Sequence, residues 1–361
     1  MPMNDITAAE LVSRINIGWN LGNTFDTAHL DWLGSNPTVA QMETAWGNPV
    51  TTKANIAALK NAGFNAIRIP VSWSKAADRS YIIRTDWMER IVEIVNWAVE
   101  YDMYVILNTH HDEDIFSFQN HKMDESKAAF RMIWEQIAAV FRNYDEKLIF
   151  EALNEPRTPG SAREWQGGTL EEHMNINTYY QLFVDIVRAS GGNNSKRILL
   201  LNPYAASGEA AAINNLKIPA DTVKDKIVVS IHCYSPYNFA LNISMAHNTW
   251  NRNSRADTSA ITDPIDRAYN AFVSKNIPVI MGEFGAMNKD NAETRAQWAE
   301  FYVSYAKEKG MPCIWWDNGV VTGENAERFG LLDRRTNNFA YPEIVNALMR
   351  GSGAANRRFV Q

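Results

Sequence analysis

The stretch KLIFEALNEP, residues 147–156, decides how the rest of the chain is read. Its apolar run has the length and composition of a buried strand. Pro156 then blocks any continuation of the hydrogen-bonded ladder, which leaves Asn154 and Glu155 where the strand emerges. Seven other runs share this character: INIGWN (15–20), NAIRIP (65–70), MYVILN (103–108), RILLL (197–201), KIVVSI (226–231), IPVIMG (277–282) and PCIWW (312–316). Near-continuous Val, Ile and Leu is the pattern of parallel strands covered on both faces. Helical periodicity fills the intervals, at 51–63, 87–102, 128–144, 179–190, 264–276, 294–310 and 341–351, with a short, weakly marked element at 208–215. Strands alternating with helices in this way predict a single α/β domain, a (β/α)8 barrel over residues 1–361, its core at about 10–350 between short tails. A doubly wound sheet is the rival, but no G-x-G-x-x-G follows any strand to hold a dinucleotide.

Composition narrows the function. Apolar content of 46% and charged content of 21% are those of a globular chain, and no run of about 18 apolar residues exists to cross a membrane. A formal charge of -6 gives no basic face for nucleic acid. Two cysteines, Cys233 and Cys313, make neither a disulfide framework nor a C-x-x-C pair. Residues 1–10 have no basic start and no apolar segment of signal-peptide type. Twelve Trp and thirteen Tyr exceed what a core of this size needs, and flat aromatic faces suit sugar rings.

In a barrel of this kind, catalytic groups sit at the strand C-termini. Those ends carry Arg68-Ile69-Pro70, Asn108-Thr109-His110-His111-Asp112, Asn154-Glu155-Pro156, His232-Cys233-Tyr234, Gly282-Glu283-Phe284-Gly285 and Trp315-Trp316-Asp317-Asn318. Singly, each has a plain structural explanation as a cap, a turn or a buried ion pair. Six strand ends of the same polar character do not. Two glutamates on different strands, Glu155 and Glu283, suit glycosidic bond cleavage, one as nucleophile and the other as acid and then base. Arg68 and Tyr234 are candidates to hydrogen-bond an ionised Glu283, whereas a dry, Trp-lined pocket would push Glu155 upward so that it can donate a proton.

Rival chemistries are weaker. HHDED (110–114) gathers two His and three acids, but adjacent His side chains on an extended segment point apart, and no H-x-H, H-E-x-x-H or Cys ligand pair occurs. No metal and no other cofactor is expected. No G-x-S-x-G marks a serine hydrolase. A barrel that binds glycans without cutting them is the alternative from another class.

These motifs resemble glycoside hydrolase family 5, the retaining cellulases and related β-glycanases. The likeness runs from about residue 10 to 350 through GWNLGNTFD (18–26), ETAWGNP (43–49), RIPVSW (68–73), ILNTHH (106–111), NEP (154–156), HCY (232–234), GEFG (282–285) and WWDNG (315–319). The first two and the last look like subfamily 4, which implies an endo-1,4-glucanase or a relative active on xyloglucan, mixed-linkage glucan or xylan. The resemblance makes Glu155 the acid/base and Glu283 the nucleophile, and puts Asn154 on the sugar 2-hydroxyl. Arg68, His110, His111, His232, Tyr234, Asn20 and Trp46 would support or bind the substrate, and Trp316 would form the floor beneath the sugar. Trp32, Trp165 and Trp250, on predicted upper loops, could extend the cleft. The partner expected is a β-glucan polysaccharide, met by a secreted monomer, because a polymer cannot enter a cell.

Overall fold

The computed structural model of the protein describes residues 2–324 and 326–354; the end of the expected C-terminal tail lies outside them. All eight strands form: β1 Ile17–Leu21, β2 Ala66–Ile69, β3 Tyr104–Asn108, β4 Leu148–Glu151, β5 Leu199–Leu201, β6 Ile227–His232, β7 Val279–Phe284 and β8 Cys313–Asp317. They close in sequence order into a barrel, every neighbouring pair parallel, with β8 back against β1. The long amphipathic helices, among them Thr85–Glu100, Met123–Phe141 and Ala292–Glu308, lie between consecutive strands. No helix among the described residues is long and apolar enough to cross a membrane.

Strand alternation sends every second side chain into the barrel. Register places Ala66 beside Gly18, Ile106 beside Arg68 and Ile149 beside Ile106. The lower interior is thus filled by Ala66, Ile106, Ile149, Leu200, Val228, Ile280 and Ile314, all buried in one cluster. Gly18 has no room for more, since a Cβ there would fall 2.4 Å from Ile314 Cδ1. The same parity one step higher delivers Asn20, Arg68, Glu151, Asn202 and Ser230, all with no exposure. The barrel therefore changes from apolar to polar across a single layer.

Three helices differ from their expected bounds, the one expected at 128–144 spanning Met123–Phe141. The helix expected at 179–190 spans Leu170–Ala189, because Thr169 and Glu172 form a capping box at its start. The helix expected to begin at Pro264 spans Arg255–Ala271, capped by Ser254, with Pro264 inside. Burial of Ile261, Ile265 and Ala268 across that position outweighs the one lost N–H bond. A helix not expected, Ala8–Arg14, starts at a Thr7–Glu10 capping box and plugs the barrel floor with Leu11 and Val12.

Strand β7 holds one extra residue. Ile231 pairs with Met281 but His232 pairs with Glu283, and across β8 the register jumps from Met281–Cys313 to Phe284–Trp315. The residue passed over is Gly282, and the bulge aims Glu283 at the rim.

The floor plug is remote from that rim, so Leu11→Ala should lower unfolding free energy by about 2–5 kcal/mol while turnover per folded molecule stays unchanged. Denaturant melts paired with an activity assay read both quantities.

Candidate active site

Arg68 organises the upper layer. Its Nε donates to Glu151 Oε2 at 2.6 Å, Nη1 to Glu283 Oε1 at 2.6 Å and Asn20 Oδ1 at 3.0 Å, and Nη2 to Asn154 Oδ1 at 2.8 Å. Burial disfavours its charge, but Glu151 and Glu283 outweigh that and hold it above the ordinary arginine range. Glu283 receives a second bond at its other oxygen, from Tyr234 OH at 2.7 Å. Both oxygens of this carboxylate therefore accept a short hydrogen bond, from Arg68 and from Tyr234, as the sequence led one to expect. That half of the expectation for the two glutamates matches the geometry.

The other half does not. Burial pushes Glu155 up, but the hydrogen bond and charge of His232, with Arg157 and His111, outweigh it, and Glu155 is lowered. His232 Nδ1 lies 2.9 Å from Glu155 Oε1 and 3.6 Å from Glu283 Oε2. Glu155 is met by His232, Arg157 and His111 rather than by the dry tryptophan wall the sequence suggested.

Glu155, His232 and Glu283 bring one ligand-type atom each within 4.8 Å of the others, the one such group among the described residues. A cation has little to gain there. Both Glu283 oxygens are already taken, and the Arg68 guanidinium stands beside them. The HHDED side chains go separate ways: Asp112 Oδ1 accepts from the Trp73 and Ser74 amides, and His111 meets Glu113 at 3.4 Å. His110 and His111 do not point apart, however. The chain bends after β3, and their rings meet edge-on with centroids 4.5 Å apart.

An open cleft of about 910 Å³ lies over this layer, lined by His110, His111, Asn154, Glu155, Trp165, Tyr204, His232, Tyr234, Glu283, Trp316, Glu327 and Phe329. Trp316 and His110 are parallel to within 5°, 5.9 Å apart, so the indole presents a fixed face. Burial holds His110 well below the ordinary histidine range, and it stays neutral. Trp46 lies beside a neighbouring hollow of about 880 Å³ that shares His111 with the cleft. Trp165 is 66% exposed and carries Arg157 over its ring at 4.7 Å.

Three expected site residues sit elsewhere. Asn20 has no exposed surface and spends its amide on the Gly282, Ile314 and Trp315 carbonyls, so it braces the layer from below rather than meeting a sugar. Trp250 is buried against Phe301 of the outer helix Ala292–Glu308, and Trp32, though exposed, lines neither hollow. Glu151 and Asn202 were missed. Asn202 Nδ2 bridges Glu151 Oε1 at 3.1 Å and the Asn154 carbonyl at 2.6 Å, which ties the strand β4 exit to β5. The available signal was an acid at inward parity in an otherwise apolar strand.

Glu151→Gln removes half of the charge that compensates buried Arg68 and should cost about 3–5 kcal/mol in denaturant unfolding. A second test uses pH. Burial raises Asp112 from an ordinary 3.8 to about 7, against the pull of the Ser74 and Trp73 amides. Between those values the unfolded chain releases this proton and the folded chain keeps it, so its contribution to stability falls as pH rises through the window. Asp112→Asn has no proton to release, and its melting temperature relative to wild type should be higher at pH 8 than at pH 4.

The description Cellulase (glycosyl hydrolase family 5) matches residues 30–321. Endoglucanase A of Clostridium longisporum is 42% identical over 346 residues, covering 96% of this chain; the chain spans 66% of that protein's length. A GH5-4 broad specificity endoglucanase from Ruminococcus champanellensis, solved with bound cellotriose, superposes with a TM-score of 0.92 at 46% identity, over 97% of this chain and all of the other. A GH5 family lichenase from Caldicellulosiruptor sp. F32, also solved with cellotetraose, gives 0.91 at 41% identity, covering 98% and 97% of the two chains. With an eight-stranded parallel barrel and two carboxylates facing one another at its rim, the chain belongs to glycoside hydrolase family 5, the cellulase family.

Proposed function

We propose that this chain is a retaining endo-β-1,4-glucanase that cuts internal bonds of cellulose-type or mixed-linkage β-glucans. The observation that carries the mechanism is the carboxylate pair, whose facing oxygens lie within 4.8 Å. Retaining glycosidases keep their two carboxyls about 5–5.5 Å apart, whereas inverting ones need about 6.5–9.5 Å to admit a water between them. Glu283, ionised and held by Arg68 and Tyr234, attacks the anomeric carbon. Glu155 gives its proton to the departing glycosidic oxygen. A water, deprotonated by Glu155, then releases the sugar from Glu283 with net retention.

The neighbours support this division of labour. Asn154 has Oδ1 committed to Arg68, which leaves Nδ2 as donor to the sugar 2-hydroxyl. Trp316 offers its face as the floor of the cleavage subsite. Glu155 and His232 share a hydrogen bond, so the pair holds the proton that Glu155 must donate and later recover. The cello-oligosaccharides bound to related structures favour a chain of β-1,4-linked glucose. Polymer substrates imply an exported enzyme, and the closed barrel acts as one catalytic domain and a monomer.

Reducing-end release from carboxymethylcellulose, mixed-linkage glucan, xyloglucan, xylan and mannan, with and without chelator, tests the reading. Activity on β-glucans should ignore chelator, and Glu283→Gln should stay folded with less than about a tenth of the wild-type rate. Glu155→Gln should regain turnover with azide on substrates with good leaving groups, giving a β-glycosyl azide. A folded protein that binds cello-oligosaccharides yet cuts no polymer would overturn the proposal in favour of a binding barrel.

A further inference from the structure

One guanidinium in the loop after β4 touches two parts of the cleft wall at once. The Arg157 side chain is 13% exposed and lies over the Trp165 ring, 4.7 Å from its centroid. Its Nε donates to Glu164 Oε1 at 3.0 Å, and Glu164 Oε2 accepts from the Gly160 amide at 2.7 Å, so the loop that carries Trp165 is tied to the guanidinium. Nη1 donates to the Glu155 carbonyl at 3.0 Å and stands 3.8 Å from Glu155 Oε2, with Glu113 Oε1 at 3.6 Å. At 3.8 Å the charge is felt but no hydrogen bond forms. Glu155 Oε2 is thus left to meet a substrate oxygen while His232 engages Oε1.

Both contacts of Arg157 concern the same sugar. An acid that protonates the glycosidic oxygen stands beside the sugar that departs. Trp165 lines the cleft further along the loop that Glu155 opens. It is 66% exposed although one face meets Arg157, which leaves the other face for a sugar ring. Burial pushes Glu155 up, and His232, Arg157 and His111 draw it down; the two histidines lose their charge on deprotonation, whereas Arg157 keeps its own. Glu283 on β7, Tyr234 beyond β6 and Glu327 beyond β8 also face Glu155. Arg157 is itself faced by His110 and Glu113 from the segment after β3 and by Glu164 from its own loop.

We propose that Arg157 is a positioning residue that couples binding of the leaving sugar to proton donation: its face carries Trp165 as the platform for that sugar, and its edge sets Glu155 against the bond to be cut. This rests on Glu155 being the acid/base. Lysine at this position keeps the charge but not the plane, and methionine keeps the bulk but neither. Without the charge, Glu113 and Glu164 stand uncompensated near Glu155, and the Glu155–His232 pair keeps its proton to higher pH. Without the plane, Trp165 loses the surface that holds its ring.

The experiment measures kcat and KM against pH on a soluble β-glucan for wild type, Arg157→Met, Arg157→Lys, Trp165→Ala and the double variant Arg157→Met with Trp165→Ala. The basic limb of kcat/KM should move to higher pH by about half a unit or more in Arg157→Met and return in Arg157→Lys. Trp165→Ala should raise KM about threefold or more, and less than half of that effect should remain once Arg157 is already replaced by Met. An Arg157→Met limb that coincides with wild type or moves down overturns the proposal. So does an Arg157→Lys limb displaced as far as that of Arg157→Met, or a pair of KM effects that multiply independently. Should Arg157→Met fail to fold, Arg157→Lys decides. Its binding of cellohexaose, read by calorimetry in the Glu283→Gln background, should weaken about threefold; binding equal to that of Glu283→Gln alone overturns the proposal. If the wild type cut no glucan, the assignment of Glu155 would fall while the binding data still reported on Arg157 and Trp165.

Discussion

A guanidinium sealed inside a barrel is the constraint from which the upper half of this protein follows. Arg68 has no exposed surface, and taking such a charge out of water costs several kcal/mol unless its donors are matched. They are matched by Asn20 on β1, Glu151 on β4, Asn154 just beyond it and Glu283 on β7. These partners lie far apart in sequence, and only closure of the sheet brings them to one cation. The polar layer therefore cannot assemble until the barrel is complete. Once complete, it fixes the position of Glu283 through its partner rather than through the loop that carries it.

The lower layer makes this arrangement possible. Its branched side chains and the Ala8–Arg14 plug keep water from reaching the charges from beneath. A dry floor strengthens each hydrogen bond above it and raises the penalty for leaving any group unpaired. Asn20 shows the consequence: its amide secures three backbone carbonyls of β7 and β8 beside the Gly282 bulge, while its oxygen takes one Arg68 donor. One small side chain thus binds the strand that bears Glu283 to the cation that orients it.

Strands, barrel closure and the glutamate pair were legible because each rests on a local signal, an apolar run or a carboxylate at its end. Glu151 was not, since an acid inside such a run acquires meaning only when inward parity is known, and parity is set by pairing with β3 and β5. Asn20 sits in a strand-end motif but one step too deep to meet a sugar, a difference of height that sequence does not encode. Trp250 belongs to a long loop whose path follows its packing on the outer helices. The two helix starts were lost to side-chain caps: Thr169 and Ser254 pair with Glu172 and Asp257 well upstream of the apolar stripes that drew attention.

The environment of Glu155 is the most instructive departure. A carboxyl that must donate a proton in one step and take one in the next is poorly served by permanent elevation, which would favour the first step and hinder the second. Placing it against His232 and Arg157 gives it partners in its charged form, while its hydrogen bond to the imidazole keeps a proton one short transfer away. Glu283 is treated oppositely, with two donors that never release it. Two like side chains within 4.8 Å thus receive different partners, one set fixed and one exchangeable, an asymmetry that suits the proposed division into a nucleophile and an acid that must also act as a base.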